Sequence, residues 1–166
     1  MLKTTIKTFL LILLFQLTLQ AREINLDKLI DTATKTDKHL FVWLHKTDCG
    51  YCQNMQEFTL KNEVIADFIK KNFIYVHINV RESDKVYYQG FEGSGMEFAK
   101  HIGYNFYPTS LFFDKSGDLT FVEVGFLDSE SLPNEEKFFK ILNFISSKSY
   151  ENSEFSDYKF KYNGEL

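Results

Sequence analysis

The chain has 166 residues, 44% hydrophobic and 25% charged, with 18 Phe, 9 Tyr and one Trp. This composition suits a single domain around an aromatic-rich core, with no low-complexity tract, long charge run or internal repeat. The formal charge is −4 with no basic stripe, which argues against a nucleic-acid partner.

Lys3 and Lys7 make a basic start, and Phe9 to Leu19 is an apolar run of 11 residues. A membrane-spanning helix needs about 20 residues, so the run predicts a secretory signal peptide over 1–21, cleaved after Ala21. The competing reading is an uncleaved N-terminal anchor. Loss of 1–21 would leave 17 basic and 23 acidic residues, a charge of −6. Export would place the chain in an oxidising compartment, the periplasm.

Apolar residues at 26, 29, 30 and 33 predict a helix within Ile24 to Lys38. The run "HLFVWLH", His39 to His45, predicts a buried central strand. "CGYCQNMQEFTL" predicts a helix opening at Cys49 with Asp48 as its N-cap. A second amphipathic helix follows over Asn62 to Asn72, then a strand over Phe73 to Val80. "RESDKVYYQGFEGSG" is expected to be a polar, glycine-bearing loop, and Met96 to Gly103 a short helix closed by glycine. "TSLFFD" and "LTFVEVGF" predict two strands joined across a turn, and Asn134 to Lys148 a last helix. The order, a βαβ half and then a ββα half, predicts an α/β fold with a central mixed β-sheet flanked by helices on both faces. The domain is expected over 22–148. Residues 149–166 form a tail or an extra helix, on which Phe155, Tyr158 and Tyr162 would share one face.

Cys49 and Cys52 are the chain's only cysteines. At the mouth of a helix after a buried strand, the Cys49 sulfur would feel free N–H groups and the positive helix end, both of which favour thiolate. Cys52 lies one turn further on, close enough to form a disulfide. These positions predict an exposed, attacking Cys49 and a partly buried, resolving Cys52, with Gly50 and Tyr51 modulating helix geometry and sulfur access. A structural disulfide is the bland alternative. A metal site needs about four ligands, so none is assigned, although His45 with both sulfurs would suit Cu(I). His39, His77 and His101 are expected to be surface or satisfied groups, and Trp43 to be core packing. Pro108 stands just before a strand; if its peptide bond is cis and it packs beside the cysteines, Tyr107 offers free backbone groups to which a substrate segment would add as a strand.

A strand, a CxxC at a helix start, a helix, a strand, then "PT" opening a hairpin and a final helix together resemble the thioredoxin superfamily, over Leu26 to Ile145. The chain is most similar to exported SoxW-like proteins with an aromatic tail. The resemblance implies the thioredoxin fold and a thiol–disulfide oxidoreductase. Cys49 would be the nucleophile, Cys52 the resolving thiol and Pro108 the cis-proline, with Tyr107 beside it. It implies no cofactor, a disulfide-bearing protein substrate, and a membrane thiol transporter of the DsbD or CcdA kind as electron donor. A monomer suffices. "CGYC" is also the tetrapeptide of DsbC-type isomerases, so an oxidase or isomerase remains open beside a reductase, as does a copper-binding module on the same scaffold.

Three positions depart from the family pattern. Asp48 replaces the Trp before the first cysteine, and its charge opposes thiolate formation. Trp43 stands where thioredoxin has a buried Asp, so that proton relay is not carried over; His45 is the candidate replacement. Tyr107 replaces the usual Ile or Val before the proline, which alters the partners that fit.

Overall fold

The computed structural model describes residues 22–82, 84–126 and 134–158. The expected signal segment, 1–21, lies outside them, as do Pro133 and Tyr162. In chain order the elements are β1 (Glu23–Asn25), α1 (Leu26–Lys35), β2 (His39–His45), α2 (Gly50–Asn54), α3 (Glu63–Asn72), β3 (Phe73–Asn79), β4 (Lys85–Tyr88), β5 (Phe91–Ser94), α4 (Gly95–His101), β6 (Thr109–Phe113), β7 (Leu119–Val124) and α5 (Asn134–Ser146). A π-helical stretch, Met55–Leu60, continues α2.

The layout follows from β2. Its alternate side chains point to opposite faces, as in any strand. Leu40, Val42 and Leu44 enter one core with Ile30 of α1 and Phe98 of α4. Phe41 and Trp43 enter the other, with Met55, Ile65 of α3 and Phe138 and Ile141 of α5. Both faces of the strand are therefore covered, which explains its near-continuous apolar run. The central sheet runs β3-β2-β6-β7; β3 is parallel to β2, and β6 and β7 alternate antiparallel. This is the mixed sheet with helices on both faces that the element order predicts.

Two expectations are corrected. The segment Arg81 to Gly95 is not a loop: β4 and β5 form a hairpin, with Gln89 and Gly90 at φ 46° and 82° in its two-residue turn. Positive φ at both positions matches the right-handed strand twist, which is how such tight turns close. Helix α1 begins at Leu26 rather than near Ile24. Ile24 instead pairs with Val86 of β4, completing a separate three-stranded sheet β1-β4-β5. Asn25 then caps α1, its Oδ1 accepting from the Lys28 N–H at 2.9 Å.

The described part of the tail is not one helix but two 3₁₀ turns, Ser149–Glu151 and Phe155–Asp157. Phe155 and Tyr158 pack on Phe144 of α5, with ring centroids 5.4 and 5.2 Å apart. The Tyr150 hydroxyl meets Nε2 of buried His39 at 3.1 Å.

Candidate active site

The β2 chain leaves the sheet at His45 and turns sharply. Asp48 takes the left-handed conformation, φ 58°, which Asp tolerates better than most residues. The cap of α2 is therefore Cys49, not Asp48. Cys49 is extended, φ −121° and ψ 103°, and its sulfur stands where a capping oxygen would, 3.2 Å from the Cys52 backbone N–H. The sequence expectation overlooked that a cysteine sulfur can itself act as the cap.

Cys49 and Cys52 are joined as a disulfide with Cα atoms 5.2 Å apart. Cys52 is 3% exposed, more deeply buried than the partly buried position expected for it. Cys49 is 6% exposed, so it is buried rather than open as expected. The cause is Tyr107. That residue is half-buried against both cores, and its carbonyl oxygen lies 3.8 Å from Cys49 Sγ. Burial also raises the Tyr107 hydroxyl above its ordinary pKa.

The Tyr107–Pro108 peptide bond is cis. Two hydrogen bonds hold this segment over the disulfide. The hydroxyl of buried Thr109 donates to the Phe106 carbonyl at 2.7 Å, and the Gly125 N–H donates to the Pro108 carbonyl at 2.7 Å. Among the described residues, Tyr107 itself enters no backbone–backbone hydrogen bond.

The rim is aromatic and accessible. Tyr51 is 67% exposed and Phe106 is 70% exposed. Gly50 is exposed, and a Cβ there would meet nothing within 4 Å, so no close approach demands a glycine. Two neighbours escaped the sequence reading. Phe106 is one, and its signal was an aromatic directly before the "YP" pair. Lys46 is the other, with its ammonium 5.8 Å from the centroid of the Tyr107 ring; no sequence pattern links residues 46 and 107.

His45 does not serve the sulfurs. Its Nε2 lies 3.1 Å from His77 Nδ1, and its ring stacks on Trp43 with centroids 4.3 Å apart. Burial, then the neighbouring His77, lowers its pKa from 6.5 to about 4; Arg22 adds to this and Glu82 opposes it. Burial lowers His77 as well. Among the described residues, no three His, Cys, Asp or Glu side chains converge as metal ligands. His101 stacks on Phe91. An apolar groove of about 530 Å³ lies along α3 and β3 and shares no lining residue with the cysteine site.

A buried CxxC disulfide at a helix start, covered by a proline-bearing segment from the facing strand, defines a thioredoxin-like protein. The sequence matches the family described as thioredoxin-like domain over residues 26–140, and the chain belongs to that family. An uncharacterized protein of Archaeoglobus fulgidus is 36% identical over 50 residues, 30% of this chain and 39% of that protein; the match thus spans well under two thirds of the relative. Among solved structures, a thioredoxin from Thermus thermophilus has a TM-score of 0.59 at 20% identity, covering 86% of this chain and all of its own. A thioredoxin-fold protein from Helicobacter pylori has a TM-score of 0.56 at 24% identity, covering 71% of this chain and 74% of its own. A candidate disulphide-isomerase from Bacteroides thetaiotaomicron has a TM-score of 0.53 at 23% identity, covering 82% of this chain and 95% of its own. At these identities the likeness establishes the fold.

Proposed function

We propose that the chain is a thiol–disulfide oxidoreductase that reduces disulfides in protein substrates, exported to the periplasm by its N-terminal apolar run and close to SoxW-like proteins within the family. The observation that carries the chemistry is the Cys49 sulfur in the N-cap position. After reduction, the Cys52 N–H at 3.2 Å is already aimed at it, a donor that favours thiolate over thiol.

The reaction has two exchanges. The Cys49 thiolate attacks one sulfur of a substrate disulfide; a Cys49–substrate bond forms, and the other substrate sulfur leaves with the electron pair and takes a proton. The Cys52 thiolate then attacks Cys49 Sγ. The 49–52 bond forms, the bond to substrate breaks, and the second substrate thiolate leaves and is protonated. The dithiol has lost two electrons and two protons, and the substrate has gained them. Tyr107, which enters no backbone–backbone hydrogen bond among the described residues, receives an extended substrate segment, while Tyr51 and Phe106 supply apolar contact. Opposite an oxidising compartment, the dithiol must be regenerated, which calls for a membrane thiol transporter of the DsbD or CcdA kind.

The test is twofold. The Cys52→Ser variant of the full chain should trap protein partners as mixed disulfides that dithiothreitol releases; no trapped partner refutes the exchange mechanism. Equilibration of the pair in glutathione and dithiothreitol buffers gives its potential. A value of about −270 mV fits a reductase, whereas about −120 mV reverses the electron flow and makes the protein an oxidant.

A further inference from the structure

Among the described residues, one buried side-chain polar atom has no hydrogen-bond partner: the indole Nε1 of Trp43. The residue is 3% exposed. Native folds rarely leave a buried donor unmatched, so each such group asks for an explanation. The placement of Trp43 supplies one. Strand alternation sends it to the same face as Phe41, into the core cluster that contains both Cys49 and Cys52. Its ring is stacked on His45 at an interplanar angle of 13°, and His45 is in turn held by His77. The donor is fixed in place, and no acceptor meets it while the sulfurs are paired.

Reduction changes the acceptors. A disulfide that takes up two electrons becomes two sulfurs, and each that ionises is a strong acceptor inside an apolar cluster. Cys49 already has a donor, the Cys52 N–H. Among the described residues, no hydrogen bond reaches Cys52 Sγ in the disulfide state, in contrast to Cys49 Sγ. An unmatched donor and a sulfur about to become an unmatched anion thus share one buried cluster.

We propose that the Trp43 Nε1–H donates a hydrogen bond to Cys52 when that sulfur is a thiolate. The inference rests on the oxidoreductase reading and assigns Trp43 a role in its second exchange. The indole keeps its proton throughout. It stabilises the Cys52 anion until that anion forms the bond to Cys49 and the substrate sulfur departs with the displaced electron pair. Trp43 is thus a positioning residue that tunes the resolving thiol. Among the described residues, the titratable groups that meet this cluster include His45 on Trp43, neutral at pH 7, His39 on Phe73, Tyr75 on Phe41, and Tyr107, Tyr150 and Tyr158.

Trp43 is the only tryptophan of the chain, so the full-length protein gives a single indole N–H resonance. The experiment follows that resonance through the thiol titration in Cys49→Ser and in Cys52→Ser, each of which carries one free thiol. In Cys49→Ser the resonance should move with ionisation of Cys52; in Cys52→Ser it should stay still. A resonance indifferent to Cys52, or one that follows Cys49 alone, overturns the proposal. Trp43→Phe should raise the Cys52 thiol pKa by about one pH unit, the effect of one charge-assisted hydrogen bond. The resolving step should slow about threefold near neutral pH, because the thiolate fraction falls while its nucleophilicity rises. An unchanged Cys52 pKa in a folded Trp43→Phe protein also overturns it. Should that variant not fold, the resonance in the Trp43-bearing proteins decides. Single-thiol proteins need no disulfide exchange, so failure of partner trapping together with a responsive indole would sink the oxidoreductase reading and the role in its second exchange, and leave only the Trp43–Cys52 hydrogen bond standing.

Discussion

Acidification should destabilise this protein through His45 in particular. The imidazole sits at the end of β2 against Trp43 and His77, and its folded pKa is lowered from 6.5 to about 4, chiefly by burial. The sign follows from proton counting. Above pH 6.5 the ring is neutral in both folded and unfolded chains and contributes nothing. Between about pH 6.5 and 4 the unfolded chain binds a proton that the folded chain refuses, so stability falls as pH falls; below about 4 both forms are charged and the loss is complete. A fully buried ring with this shift would cost about 3 kcal/mol across the window. His45 keeps a solvent-facing edge, so we expect about 1–2 kcal/mol. The assay is urea unfolding of the oxidised protein at a series of pH values from 7.5 to 4, for the parent and for His45→Gln. Carboxylates and the histidines that do not touch His45 titrate in both proteins and cancel in the comparison, and any change at His77, which contacts His45, is part of the difference read. The parent should lose about 1–2 kcal/mol more than the variant over the window. Two curves that run parallel throughout would refute the assignment of a suppressed charge to His45.

Other substitutions test the rest of the architecture. Thr109→Val removes the hydroxyl that holds Phe106 and leaves a carbonyl without its donor; unfolding free energy should fall by about 1–2 kcal/mol, with slower disulfide reduction in a turnover assay. Gly50→Ala meets no atom and gains some helix propensity at the first position of α2, so denaturant unfolding should show a gain of up to about 0.5 kcal/mol. Phe112→Ala empties a site where Phe41 stacks at 4.8 Å and Phe73 meets it edge-on, and thermal or chemical unfolding should register a loss of about 3–5 kcal/mol. Ser94→Ala breaks the reciprocal capping with Glu97 at the start of α4 and should cost about 1 kcal/mol, read from the same unfolding curves.

Much of the fold was legible where burial imposes a simple pattern. His39 to His45 reads as a buried strand because both its faces are covered, and Asn62 to Asn72 reads as a helix because only one of its faces is. The β4–β5 hairpin was missed because its polar flanks and glycines resemble a loop. The informative signal was narrower: Gln89–Gly90 between Val86–Tyr88 and Phe91, a two-residue turn between short alternating runs. The cysteine pair was legible from spacing and order, and the cis Pro108 from the family pattern, although Tyr107 before it departs from that pattern. The covering of Cys49 was not, because it depends on a carbonyl delivered by a segment 58 residues away. The orphaned donor of Trp43 was equally invisible. A tryptophan in an apolar strand announces packing, and only the three-dimensional neighbourhood reveals that its one polar atom has nothing to bind.

The near-complete enclosure of the disulfide bears on how the protein keeps time. A small thiol in bulk solution must find a path to two buried cysteines, whereas in the proposed mechanism a docking protein would bring its own backbone to the Tyr107 segment and its own sulfur to the gap. Collisions with small thiols or disulfides in solution would then seldom register, and each productive docking would. The oxidation state of the pair would lag behind the solution around it and store, as one bit, the outcome of the last partner met.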